Sequence, residues 1–189
     1  MPRARFVDES GNWRPVDAAF LAWRRSGGPV VTHPEDAVDV RLWAALTDDK
    51  IDVDAEISTR LASGSRTGWD AGALFPQAGV GLEAWTESEL SAIHAVWWLA
   101  RQRSRADWSK LVDLAVDWHV ENIQPDNATT HPWGLHVFLL RFRATGHHDH
   151  RLHAEMLLHN CQITMGRPDA MSAEILMDSA NALDQACSD

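Results

Sequence analysis

Residues 118–136 hold the densest combination of side chains in this sequence that could do chemistry. These 19 positions contain two indoles, three imidazoles, two carboxylates and two asparagine amides. An acid or base, a second polar group and a flat stacking surface suit a small-molecule or carbohydrate-active site. The candidate catalytic residues are His119, Glu121, Asp126 and His131. The candidate ligand-binding residues are Trp118, Asn122, Asn127, Trp133 and His136.

The same block also has an ordinary structural interpretation. Asp126 and Asn127 are favoured turn residues, and Thr130 or His131 can cap the helix that follows. His119 can be a hydrogen-bonded core histidine. Convergence of these side chains in one cavity, with a buried carboxylate beside a histidine, would favour the catalytic interpretation.

The histidine-rich segment 146–159 has some of the spacing that a metal site needs. His150 with His153, and Glu155 with His159, can each share one helical face. The two pairs point about 150° apart on an ideal helix, so one ion cannot easily use both. HExxH and CxxC patterns are absent from the sequence. We therefore expect no metal site and no cofactor.

A third cluster of possible ligands is acidic. Between residues 35 and 56, eight acidic residues stand against two basic residues, which gives a local charge of −6. Closely spaced carboxylates suit Ca²⁺ or Mg²⁺, but the glycine of an EF-hand loop is missing. We interpret this cluster as a solvated acidic loop and helix start.

The second half of the chain has the regular apolar periodicity that would position residues 118–136. Thr86 with Glu89 has the pattern of a capping box, and Gly146 suits a helix C-terminus. Short connections between consecutive helices make neighbours antiparallel, so the pattern predicts an all-α fold of helical hairpins. The predicted helices span about 86–103, 107–124, 132–146, 149–165 and 169 to near the C-terminus.

The first half is less regular, with short helical patterns separated by turn signals. These patterns predict helices over about 16–25, 37–46 and 55–62, followed by a long loop. We expect residues 1–80 to form an irregular helical segment that packs on a hairpin domain of residues 81–189. Pro-Asp recurs at 125–126 and 168–169, a spacing that is typical of helical-hairpin repeats.

Composition limits the classes of partner. The net charge is −10, which repels phosphate backbones and anionic membranes, so we expect neither nucleic acid nor membrane as a partner. Two cysteines and no apolar leader predict a soluble, cytoplasmic protein. There are ten tryptophans and no tyrosine, which predicts a Trp-rich core and excludes tyrosine as a catalytic group.

The hairpin half resembles the α/α-toroid proteins, a class that contains terpenoid cyclases, prenyltransferase β-subunits and several carbohydrate-active enzymes. The resemblance covers roughly 105 residues and depends on alternating helices and polar-aromatic loops such as 118–133. The Asp-x-Asp-Asp pattern of protonating cyclases is not completed after Asp54. The toroid repeat signature ends in Gln-x3-Gly-x-Trp. Gln77, Gly81 and Trp85 correspond to it only with two extra residues before the tryptophan. The resemblance implies a hairpin array and assigns no catalytic residue.

Two functions are compatible with these observations. The first is a noncatalytic scaffold that binds a partner protein or its own copy through an exposed Trp-bearing face. The second is a small-molecule or carbohydrate-active enzyme that uses residues 118–136. P-loop, dinucleotide and G-x-S-x-G patterns are absent, so nucleotide handling and ordinary hydrolase chemistry have no support in the sequence.

Overall fold

The computed structural model describes residues 15–62, 72–77, 81–123, 130–163 and 169–188. Within these ranges the chain forms eight α-helices and no strand. The all-α prediction is therefore confirmed. The helices are α1 (Pro15–Arg24), α2 (Val38–Ala45), α3 (Asp54–Ala62), α4 (Leu82–Gln102), α5 (Ala106–Asn122), α6 (Leu135–Thr145), α7 (His148–Ile163) and α8 (Ala170–Ser188).

The second half contains the five predicted helices, α4 to α8, with ends displaced by a few residues. α4 packs on α5 and α6 packs on α7, each pair joined by a short connection that turns the chain back. Gly146 ends α6 in the left-handed conformation, with φ of 75°, and its N–H donates to the Phe142 carbonyl. This cap is as the sequence predicts, because glycine adopts positive φ without steric cost.

The predicted capping box at the start of α4 is wrong. The helix begins four residues earlier, at Leu82, and the Thr86 hydroxyl donates to the Leu82 carbonyl inside the helix. The Glu89 carboxylate accepts the backbone N–H groups of Leu74 and Phe75 instead of capping its own helix. A sequence pattern alone cannot show that a distant backbone segment competes for the same carboxylate.

The centre of the molecule is an aromatic cluster to which several helices contribute. Phe20 of α1 meets the ring of Trp43 of α2 at 4.9 Å and that of Trp133 at 5.1 Å, both edge to face. The Trp43 indole N–H also donates to the Ser91 hydroxyl of α4, at 3.0 Å. These contacts fix α1 and α2 against the hairpin half, while the division of the chain at residue 80 stays a prediction.

None of the eight described tryptophans is exposed. Five are buried, and Trp23, Trp98 and Trp118 are partly buried against the core. The prediction of a Trp-rich core is therefore confirmed for the described residues. Among these residues no helix is long and apolar enough to cross a membrane.

The first residue of α3, Asp54, contacts arginines of the α4–α5 connection. Asp54 accepts from Arg103 at 2.8 Å and from Arg105 at 3.2 Å, and Arg105 also binds Asp107. The Arg105 guanidinium lies over the Trp108 ring, 4.3 Å from its centroid. Asp54 is thus used to hold α3 to the end of α4.

Apolar side chains of the hairpin half are buried to different extents. Trp97 and Leu111 are buried, whereas Leu139, Phe142 and Met156 are half-buried. α6 buries its first turn completely, and beyond Phe138 its apolar side chains lie at the edge of the core.

Replacing Phe142 by alanine is therefore expected to lower the free energy of unfolding by about 1–2 kcal/mol, less than the roughly 3–5 kcal/mol of a fully buried phenylalanine. The centroid of the Phe142 ring lies 5.6 Å from that of His148, and the Arg151 guanidinium lies over the ring. His148 and Arg151 are both exposed. Urea denaturation of wild type and variant measures the difference. A loss above about 3 kcal/mol would contradict the half-buried placement.

Candidate functional site

Part of the block 118–136 lies outside the described residues, including Asp126 and Asn127. Of the rest, Glu121 and Asn122 are exposed on the last turn of α5. The Asn122 amide donates to the Trp118 carbonyl, one turn back in the same helix. The proposed acid or base Glu121 is therefore solvated. Desolvation is the feature that would favour a catalytic role.

The three imidazoles of the block are buried, but each has a different main partner. His119 faces Glu89, His131 bonds to Glu87, and His136 bonds to Ser179. Trp133 belongs to the central aromatic cluster and is fully buried. The structure therefore distributes the described candidates among separate packing contacts.

Asp178 of α8 is the centre of the first buried polar group. Its carboxylate accepts from His94 Nε2 at 2.8 Å and from the Trp98 indole at 2.9 Å, both on α4. Arg24 Nε of α1 lies 3.6 Å from the second oxygen. Because Asp178 is only 2% exposed, these donors replace the water that a carboxylate would otherwise bind. One side chain thus connects α8 with α1 and α4.

The tautomer of His94 follows from its two contacts. The backbone N–H of Gly134 donates to His94 Nδ1 at 3.3 Å, so Nδ1 is an acceptor. Nε2 must then carry the proton that is donated to Asp178. Gly134 directs its N–H at this ring from a left-handed conformation, with φ of 69°, which favours glycine.

His136 lies beside this group, with its ring centroid 4.3 Å from that of His94. Its Nδ1 is 3.3 Å from the Ser179 hydroxyl, and Nε2 has no hydrogen-bond partner among the described residues. Burial, with a contribution from His94, lowers the pKa of His136 well below 6.5. His136 is therefore neutral in the folded protein at neutral pH.

The second buried polar group consists of Glu89, His119 and His153, from α4, α5 and α7. One Glu89 oxygen lies 3.9 Å from His119 Nε2, too far for a hydrogen bond. Both nitrogens of His119 and Nε2 of His153 have no partner within the described ranges. The Trp85 ring lies parallel to that of His119, with centroids 6.1 Å apart.

His153 is placed in an apolar environment by α6 and α7. Its ring stacks on Phe138 at 4.3 Å. Burial, followed by the effects of His119 and His150, lowers the pKa of His153 from 6.5 to about 3. The imidazole therefore behaves as a neutral core side chain at neutral pH.

The histidine-rich start of α7 does not form a metal site in the described residues. His150 Nε2 bonds to Asp117 of α5 at 2.9 Å, while His147 is exposed. Arg141 of α6 binds the same Asp117 through two nitrogens, at 2.8 and 2.6 Å. Across the described ranges, no three possible ligands are arranged to hold an ion.

An open surface groove of about 300 Å³ lies where the end of α4 meets the end of α8. None of the candidate residues within the described ranges lines it. Its lining residues are Arg101, Asp184, Gln185 and Ser188.

Sequence reasoning missed Glu89, His94 and Asp178. A signal for them exists, because each is a polar residue at a position that helical periodicity assigns to the core. Asp178 follows Ile175 by three residues and precedes Ala182 by four, and all three residues are buried. A polar residue within a buried stripe needs a partner, although the sequence does not identify that partner.

Comparison with protein-family models finds no match for this chain. Comparisons with curated proteins and with solved structures also find no similar protein. The likeness to α/α-toroid proteins therefore stays a prediction.

Proposed function

We propose that this chain is a noncatalytic helical scaffold for protein interaction or self-association. The main support for the proposal is that the candidate catalytic residues contact different partners. His119, His131 and His136 are each used in a different buried contact between helices, and Glu121 is solvated. A catalytic centre needs its acid, base and binding groups within reach of one substrate. The described part of the block does not offer that arrangement.

Exposed apolar side chains support the scaffold proposal and replace the Trp-bearing face expected from the sequence. Leu114 is 64% exposed on α5, Leu152 is 51% exposed on α7, and Met177 is 49% exposed on α8. Side chains of this kind can anchor a protein interface when a partner covers them. The net charge of −10 supports a protein partner over nucleic acid or an anionic membrane. Two free thiols suit a reducing, cytoplasmic location.

A second candidate function is small-molecule binding or chemistry at Glu89, His119 and His153. It is supported by a desolvated carboxylate close to a histidine whose ring nitrogens have no partner in the described structure. In this alternative Glu89 or His119 would exchange a proton with a ligand, and Trp85 would provide a stacking surface. It is the second candidate because Glu89 already accepts two backbone N–H groups, which gives this carboxylate a structural role.

Sedimentation velocity of the full chain, from low to high micromolar concentration, tests self-association. We expect the average mass to rise with concentration. At least one of the single variants Leu114→Glu, Leu152→Glu and Met177→Glu should lower it at a given concentration, because a charge inside an apolar contact is costly. Asn181→Glu, which adds the same charge at an exposed polar position of α8, is the matched control.

A chain that remains monomeric at every concentration would contradict self-association. The second candidate is tested on the same samples by a ligand and substrate screen with wild type, Glu89→Gln and His119→Gln. A response that both variants abolish, while their helix content stays at the wild-type level, would favour chemistry at Glu89 and His119 over the scaffold.

A further inference from the structure

His131 lies between two carboxylates that belong to different helices. Its Nδ1 is 2.7 Å from Oε1 of Glu87 on α4, and its Nε2 is 3.6 Å from Oδ2 of Asp169, the residue before α8. The neighbouring Thr130 hydroxyl is 3.1 Å from the same Nδ1, and the Thr130 N–H donates to Glu87. The ring is 5% exposed, so these groups replace much of its contact with water.

The number of protons on the ring determines how many of these contacts are favourable. A neutral imidazole has one N–H, and an imidazolium has two. With its single proton on Nδ1, neutral His131 donates to Glu87 and presents a lone pair to Asp169. With two protons, the ring attracts both carboxylates.

Asp169 connects the number of protons on the His131 ring to the start of α8. Its Oδ1 accepts the backbone N–H of Ser172 at 2.6 Å, which caps the first turn of the helix. Burial raises the pKa of Asp169, but the hydrogen bond from His131 and the Ser172 N–H outweigh it and lower that pKa to about 2. The carboxylate is therefore ionised whenever His131 changes its charge.

We propose that His131 is a pH-operated clasp, which as imidazolium holds the capped start of α8 to α4 and releases Asp169 when it loses a proton. Within the described part of the chain, Glu87 from α4 and Asp169 from the start of α8 are charged groups that face the ring. Among these side chains, the imidazole is the one whose type can gain or lose a proton near neutral pH. The inference is independent of the scaffold proposal.

Hydrogen exchange of the wild-type chain at pH 6 and at pH 8.5, corrected for the intrinsic pH dependence of exchange, tests the clasp. The protection of the Ser172 amide should fall about fivefold at the higher pH, the equivalent of one partly buried ion pair. Amides in the middle of α5, such as that of Val116, serve as the internal reference. Nitrogen-15 spectra of labelled histidine follow the ring of His131 over the same range.

Asp169→Asn is the matched variant, because asparagine also caps helices but carries no charge. In this variant the protection of Ser172 should be nearly equal at the two pH values. The clasp is overturned if His131 keeps one protonation state from pH 6 to 8.5, or if the variant retains the wild-type pH dependence. A wild type without a change at Ser172 would overturn it as well, whether or not the variant folds.

Discussion

Replacing Asp178 by alanine is expected to lower the free energy of unfolding by about 3–5 kcal/mol, the cost of removing one partner from a buried charged group. The substitution leaves the N–H groups of His94 and Trp98 without an acceptor in the core. It also removes the charge that faces Arg24 at 3.6 Å. Because these donors come from α1 and α4, α8 loses a buried polar attachment to both helices. Urea denaturation at neutral pH measures the loss.

Asp184→Ala is the matched control for this substitution, because Asp184 is exposed on the same helix. It should change the stability by less than about 0.5 kcal/mol, as surface substitutions do. A loss below about 1 kcal/mol for Asp178→Ala would show that the carboxylate is not a buried attachment point.

Acidification from pH 8 to about 5 is expected to remove about 2 kcal/mol of stability through His153, and His136 adds to this loss. In the folded chain the pKa of each histidine lies below the 6.5 of a free imidazole. The pKa of His153 is lowered to about 3. Only the unfolded chain therefore binds these protons in this interval, so stability that is complete above pH 6.5 is lost as the pH falls. His153 contributes about 2 kcal/mol over this interval, and His136 acts in the same direction.

The variant His153→Gln isolates one of these contributions, because glutamine is polar and does not titrate. Urea denaturation at several pH values should give a slope of stability against pH that is smaller than that of wild type by about 1.4 kcal/mol per pH unit. Other titrating groups act on both proteins and cancel in the difference. Equal slopes for the two proteins would show that His153 binds its proton in the folded state.

The positions of the helices in the second half could be predicted because their signals are local. Apolar periodicity identified the five helices, and Gly146 ends α6 through a backbone conformation that its own type favours. The predicted start of α4 was wrong because Glu89 was expected to cap its own helix. In the structure its carboxylate binds the backbone at Leu74 and Phe75, a choice that depends on tertiary packing.

The buried polar groups could not be predicted as pairs for the same reason. His94 and Asp178 are 84 residues apart in sequence, and their contact exists only after α8 has packed on α4. The block 118–136 was predicted to be the functional site because its polar residues are close together in sequence. Helix geometry then directs His119 to Glu89 and His136 to Ser179, so nearness in sequence did not give the two imidazoles a common partner.

The central claim is that the buried histidines contact groups on other helices instead of forming one catalytic centre, and His94 gives its most direct test. The measurement is a long-range proton–nitrogen correlation spectrum of the native chain with labelled histidine at neutral pH. Nδ1 accepts from the Gly134 N–H and Nε2 faces Asp178, so the account predicts a single neutral tautomer with the proton on Nε2. An imidazolium, a proton on Nδ1 or a mixture of tautomers would contradict it.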